Sequence, residues 1–163
     1  MLEIPSIPSW SSMHPLLVHF PIALLLVAPA FILIGIILKK NSKYYFYSAS
    51  ILMTMGLLAI LIAIASGEAS ADLAIIPKEA ENLVEKHKLL SETVRNVFAG
   101  LTLLYVLIQV VPVLIKKNLS VQLNRIVNTC FLILYMICCI GLLNVAEMGG
   151  RLVHEFGISG FVK

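Results

Sequence analysis

Four histidines give this chain its widest chemical reach. Two of them stand five residues apart in His14-Pro15-Leu16-Leu17-Val18-His19-Phe20-Pro21, and the others are His87 and His154. Neutral imidazole ligates iron, zinc and copper, and it exchanges protons near neutral pH. The stretch 14–21 lies where a polar arm becomes a long apolar run. Imidazole and proline are both unusual at such a place, so the stretch reads as the entrance to a site. Five residues along a helix turn by about 140° and rise about 7.5 Å. His14 and His19 therefore do not grip one ion from one regular helix, and each needs a partner on another segment.

His87 is the partner the pattern favours. Leu83, Val84, His87, Leu90, Val94, Phe98 and Leu101 fall on one face of a helix, while Glu81, Glu85, Lys88, Glu92 and Arg95 fall mostly on the other. An inward His19 shares its face with Ile22, Ala23, Leu26 and Ala30. The expected site is then His19 and His87 facing each other across a bundle, as axial ligands of a b-type haem. His14 and Glu68 are expected to support them, since a ligating imidazole usually donates its second N–H to a carboxylate, carbonyl or water. His14 is the second choice as a ligand. Arg151 is expected to pair with a haem propionate.

The segments that must position these residues are membrane spans. Of 163 residues, 60% are hydrophobic and 13% charged, about half the charge of a soluble domain. Apolar runs fit spans at about 16–38, 45–66, 93–115 and 126–146, each near the ~20 residues that cross a bilayer as a helix. The expected fold is a single all-α membrane domain, an antiparallel four-helix bundle. Residues 67–92 form the longest connection, with a helix starting at Pro77. Pro15 suits the first turn of the first helix, Pro29 is placed to kink it, and Trp10 suits an interfacial belt. Ala49, Gly56 and Ala63 recur every seven residues, with Ala59 nearby, and allow a neighbouring helix to approach closely.

Charge placement orients the bundle. The two short connections hold Lys39, Lys40, Lys43, Lys116, Lys117 and Arg125 without an acid. All nine acidic residues (Glu3, Glu68, Asp72, Glu79, Glu81, Glu85, Glu92, Glu147 and Glu155) belong to the other side, as do the four histidines, Asn144 and Arg151. Short basic loops stay in the cytoplasm. Both termini and the site are therefore expected on the periplasmic side of a bacterial inner membrane. The first residues have no basic n-region, so no cleavable signal peptide is expected.

Several functions lack the residues they require. Cys130, Cys138 and Cys139 lie within the last apolar run, form no CxxC or CxxCH, and read as packing residues. There is no phosphate loop, nucleophile triad or nucleic-acid-binding patch. Three readings remain. The first is a redox subunit carrying haem b, with quinone as a second candidate cofactor, that relays electrons between quinol and a periplasmic acceptor. The second is a non-catalytic anchor or accessory subunit of a respiratory complex. The third is a zinc or copper site, which no HxxxH-type spacing supports. Electron transfer is expected rather than stand-alone enzyme activity, and no catalytic residue is assigned.

MHPLLVHFPIALLL at 13–26, SGEASAD at 66–72, EAENLVEKHKLL at 79–90 and GGRLVHEFGI at 149–158 together resemble a widespread bacterial family of small four-helix membrane proteins known only as a domain of unknown function. The resemblance covers nearly the whole chain. Members occur beside or fused to c-type cytochromes, which implies membrane redox chemistry and partners of that kind. It carries over His14, His19, Glu68 and His87 as motif residues. Relatives more often have Tyr at the position of His154.

Overall fold

The computed structural model describes residues 8–38, 40–117 and 120–158. Glu3 and Lys39, both used in the charge count, lie outside the described residues. After a 3₁₀ turn at Trp10–Ser12 come five helices: α1 (His14–Leu17), α2 (His19–Ile37), α3 (Ser42–Ala71), α4 (Lys78–Leu114) and α5 (Val121–His154). Among the described residues there is no strand. Four helical segments are long and apolar enough to cross a membrane: 14–37, α3, α4 and α5.

Packing sets the topology. Gly35 lies against Phe46, Gly56 against Leu25 and Gly67 against His14, so α3 runs antiparallel to α1 and α2 along their whole length. A Cβ on Gly35 would come within 2.5 Å of the Phe46 ring, and one on Gly56 within 2.6 Å of Leu25. The seven-residue stripe expected to admit a neighbour does so: Ala49, Gly56 and Ala63 are buried, and their neighbour is α2. The helices form a ring in which α2 touches α3 and α5, and α4 touches α3 and α5. Leu25, Ile32, Met53, Phe98, Tyr105, Phe131 and Tyr135 fill the middle. Two aromatic pairs knit α4 to α5: Phe98 meets Tyr135 edge-on at 5.3 Å, and Tyr105 lies 4.4 Å from Phe131. The outside is the reverse of a soluble bundle, with Leu33, Ile51, Leu103 and Ile137 all exposed, as a lipid-facing sleeve requires.

The helices outrun the expected spans at one end of the bundle. α3 continues through Ser66-Gly67-Glu68 to Ala71, so only Asp72–Pro77 connects it to α4. The stretch 147–154, expected as a tail, is the end of α5. Local propensity explains this: GEASA and EMGGRLVH contain no proline to stop a helix. Pro77 caps α4, as expected. At 37 residues, α4 is about 55 Å long against roughly 30 Å of hydrocarbon. The histidine-bearing end therefore holds helical layers beyond the apolar zone. Glu68, Asp72, Glu79, Glu81, Glu85, Glu92, Glu147 and Glu155 belong to that end, and Lys40, Lys43, Lys116, Lys117 and Arg125 to the opposite one.

The prolines act through the hydrogen bonds they delete. Pro21 has no N–H for the Leu17 carbonyl, and the next bond, from Ile22 N to Val18 O, is stretched to 3.5 Å. The helix divides there into α1 and α2. Pro29 likewise leaves the Leu25 carbonyl without its usual donor. Tyr135 on α5 supplies one, its hydroxyl donating to Leu25 O at 2.9 Å from a fully buried position. A second polar station lies toward the lysine-bearing end. Asn128 Oδ1 accepts from Tyr105 (3.0 Å) and Gln109 (3.2 Å), while its amide donates to the Asn124 carbonyl and side chain. Nothing in the structure explains the buried Thr102 hydroxyl, which has no partner.

Tyr135→Phe is expected to cost about 1 kcal/mol, within the range measured for hydrogen bonds in membrane proteins. Pro29→Ala should largely remove that cost, because an alanine N–H can satisfy Leu25 O. Equilibrium unfolding of the two single variants and the double variant in mixed micelles reads the coupling. Additive effects would show that Tyr135 does not serve the proline gap.

Candidate functional site

The polar end of the bundle gathers His14, Ser66, Gly67, His87, Val145 and Gly149 from all four long segments. His14 opens α1, with Pro15 following it in the first turn. Its half-buried imidazole reaches α3, where Nδ1 lies 2.9 Å from the Ala63 carbonyl and 3.1 Å from Ser66 Oγ. Ser66 is fully buried, and its hydroxyl donates to the same carbonyl at 2.9 Å.

His87 sits on the inward face of α4, as the periodicity predicts, and is half-buried. Its backbone carbonyl accepts from Ser91 Oγ at 2.6 Å. The Val145 carbonyl of α5 faces the ring electrostatically, but Nδ1 is buried with no hydrogen bond of ordinary geometry. His14 and His87 lie at the same end of the bundle, His14 against Gly67 of α3 and His87 against Gly149 of α5. No hydrogen bond among the described residues engages Nε2 of either ring.

Two glycines make room for the rings. A Cβ on Gly67 would stand 2.8 Å from His14 Cε1, and one on Gly149 would stand 3.3 Å from His87 Cε1. The pair therefore lies between glycine-surfaced patches of α3 and α5. The sequence reading places Gly67 in the 67–92 connection and Gly149 beyond the last span, and it misses Ser66, the Ala63 carbonyl and both seats. The available signal was the pairing of glycine-bearing motifs with histidine-bearing ones, SGE with HPLL and GG with EKHK.

The expected pairing of His19 with His87 is corrected by the geometry. His19 is exposed, as are Ala23, Leu26 and Ala30, which were expected to share its inward face; only Ile22 is half-buried. The buried face of α2 is instead Pro21, Leu25, Ala28, Pro29, Ile32 and Gly35. The reason is the antiparallel fit to α3, which turns Leu25 toward Gly56 and Gly35 toward Phe46. His14, five residues earlier and about 140° round, then points inward. The second choice of ligand is thus the one that turns into the bundle, at the end that also holds His87.

The supporting residues also differ from expectation. Glu68 is exposed and bonds neither ring; the polar partners of His14 are Ala63 and Ser66. Arg151 is exposed and bonded to Glu155 through Nε (2.9 Å) and Nη2 (3.2 Å). His154 is exposed on the last turn of α5. No group of three or more His, Cys, Asp or Glu side chains with metal-binding geometry occurs among the described residues.

Four long apolar helices enclosing a pair of imidazoles at one end define a polytopic membrane protein with an internal polar site. The chain belongs to the family described as predicted membrane protein (DUF2231), whose match spans residues 11–160. No curated protein and no solved structure matches it.

Gly67→Ala should move the His14 ring, because a 2.8 Å approach is not tolerated. Helix propensity alone would make any interior Gly→Ala change favourable by up to about 1 kcal/mol. Gly100 and Gly150 face open space, so Gly100→Ala and Gly150→Ala are expected to show that gain. Gly67→Ala should show none of it and should shift the His14 ring resonances. Thermal unfolding with histidine-selective NMR checks both; equal stabilisation at positions 67 and 150 would contradict the seat.

Proposed function

We propose that this protein is a membrane redox subunit holding one haem b at the histidine-bearing end of the bundle, with His14 and His87 as axial ligands. The observation carrying this reading is that two half-buried imidazoles from different helices lie at one end of the bundle, each against a glycine of a neighbouring helix, without a group of three or more metal-binding side chains among the described residues. Zinc sites need three or four protein ligands. A haem iron needs only two, because the macrocycle supplies the rest. The donor set therefore suits haem better than a bare ion. The two glycine seats suit it too, since they present backbone rather than side chains beside the rings. When bound, haem supplies one-electron transfer at the iron.

The chain's own residues would bind and orient the group. His14 approaches from α1, held by Ala63 and Ser66, and His87 approaches from α4. Arg151 would have to leave Glu155 to meet a propionate. That exchange costs little, because both side chains are exposed and water screens the pair. The lysine-bearing end would face the cytoplasm of a bacterial inner membrane, by the excess of Lys and Arg in short connections. The site held by His14 and His87 would then face the periplasm, and the protein would relay electrons between quinol and a periplasmic acceptor such as a c-type cytochrome, within or beside a larger respiratory complex. One haem at one face does not span about 30 Å of hydrocarbon, so electrons would enter and leave on the same side.

The test is a reduced-minus-oxidised absorption spectrum of protein purified after expression with ample haem. A b-type signal is expected in the wild type and in His19→Ala. It should be lost in His14→Ala and in His87→Ala. Wild-type protein without a chromophore under those conditions sinks the reading. A signal lost in His19→Ala and His87→Ala but kept in His14→Ala would restore the ligand pair expected from sequence.

A further inference from the structure

The surroundings of His14 determine which of its two nitrogens carries the proton. Ala63 O, 2.9 Å from Nδ1, can only accept. Ser66 Oγ, 3.1 Å from Nδ1, has already committed its proton to Ala63 O at 2.9 Å. It therefore presents only lone pairs to the ring. Both neighbours of Nδ1 are acceptors, so Nδ1 must be the donor. Nε2 is then left with its lone pair and makes no hydrogen bond among the described residues.

In free histidine the Nε2–H tautomer dominates, so the site must impose the other one. We infer that Ser66 is a positioning residue that locks His14 as the Nδ1–H tautomer and presents Nε2 as the coordinating atom. This rests on the reading that the two imidazoles hold a metal-centred group, and it names the atom and the residue behind it. A ligating imidazole is usually oriented through a hydrogen bond from its other nitrogen. Here that bond goes to a helix carbonyl and a serine whose own proton is already engaged. Full burial of Ser66 keeps water from replacing it. Gly67 completes the device, since its missing side chain lets the ring lie flat enough to reach one turn back to Ala63.

The test uses the full chain in lipid nanodiscs, without haem, labelled with ¹⁵N-histidine. His14 is assigned from the peaks lost in His14→Gln. The wild type is expected to show protonated Nδ1 and unprotonated Nε2. Ser66→Ala removes one of two acceptors and should lower the Nδ1–H to Nε2–H ratio about fivefold, the equivalent of one ordinary net hydrogen bond. Ser66→Thr keeps a hydroxyl and should restore the wild-type ratio. Unchanged His87 resonances confirm that Ser66→Ala is folded; if it is not, the Ser66→Thr and wild-type spectra still report the tautomer. A wild-type His14 in the Nε2–H form overturns the inference, and so does an unchanged ratio in folded Ser66→Ala. A wild type that shows the expected tautomer yet takes up no haem supports the lock and overturns only the haem reading.

Discussion

Inside hydrocarbon a backbone or side-chain polar group has no water to turn to, so it is answered within the bundle wherever it can be, the buried Thr102 hydroxyl and His87 Nδ1 being left without a partner. Three such answers run along this protein. At one end Asn128 satisfies Tyr105, Gln109 and Asn124 together. In the middle Tyr135 meets the carbonyl that Pro29 leaves open. At the other end Ala63 and Ser66 meet His14. Each bond is modest. Together they select one arrangement, because rotating α5 by a residue would part Tyr135 from the Leu25 carbonyl and Asn128 Oδ1 from Tyr105 and Gln109. Apolar packing alone discriminates weakly among helix rotations when lipid is as apolar as the core.

The same constraint explains how α2 and α3 are built. Their close approach comes from Gly35 and Gly56, each occupied by a side chain from the facing helix. Proline gaps are tolerable in α2 because α5 answers one of them and the other falls at the helix entrance. That entrance is where His14 lies. The break at Val18 separates α1 from the membrane-crossing α2, and it allows His14 to turn toward α3 while His19 faces outward.

Much of the fold was legible in the sequence. Four apolar runs, the Ala49-Gly56-Ala63 stripe, the inward face of α4 and the start at Pro77 are all local periodicities. Hydropathy marks the ends of the apolar runs at Ser66 and Ala146, whereas the helices continue to Ala71 and His154, because residues beyond the membrane remain good helix formers. The candidate site was half legible. His87 was placed correctly by the period of its own helix. His19 was not, because α2 is apolar on every side and carries almost no period to read; its buried face is chosen by α3.

Sequence by itself determined what kinds of residue this protein has to hide and where its helices begin and reverse. It set the charge asymmetry, the inward face of α4 that carries His87 and the glycines that later serve as seats, all through local composition and spacing. Tertiary structure decided which imidazole meets which. Gly67 and Gly149 are more than fifty residues from the rings they accommodate, and the Ala63 carbonyl is a backbone atom that no residue type announces. The register of α3 against α2 is therefore what converts a row of motifs into a paired site, since it alone turns His14 inward and His19 out.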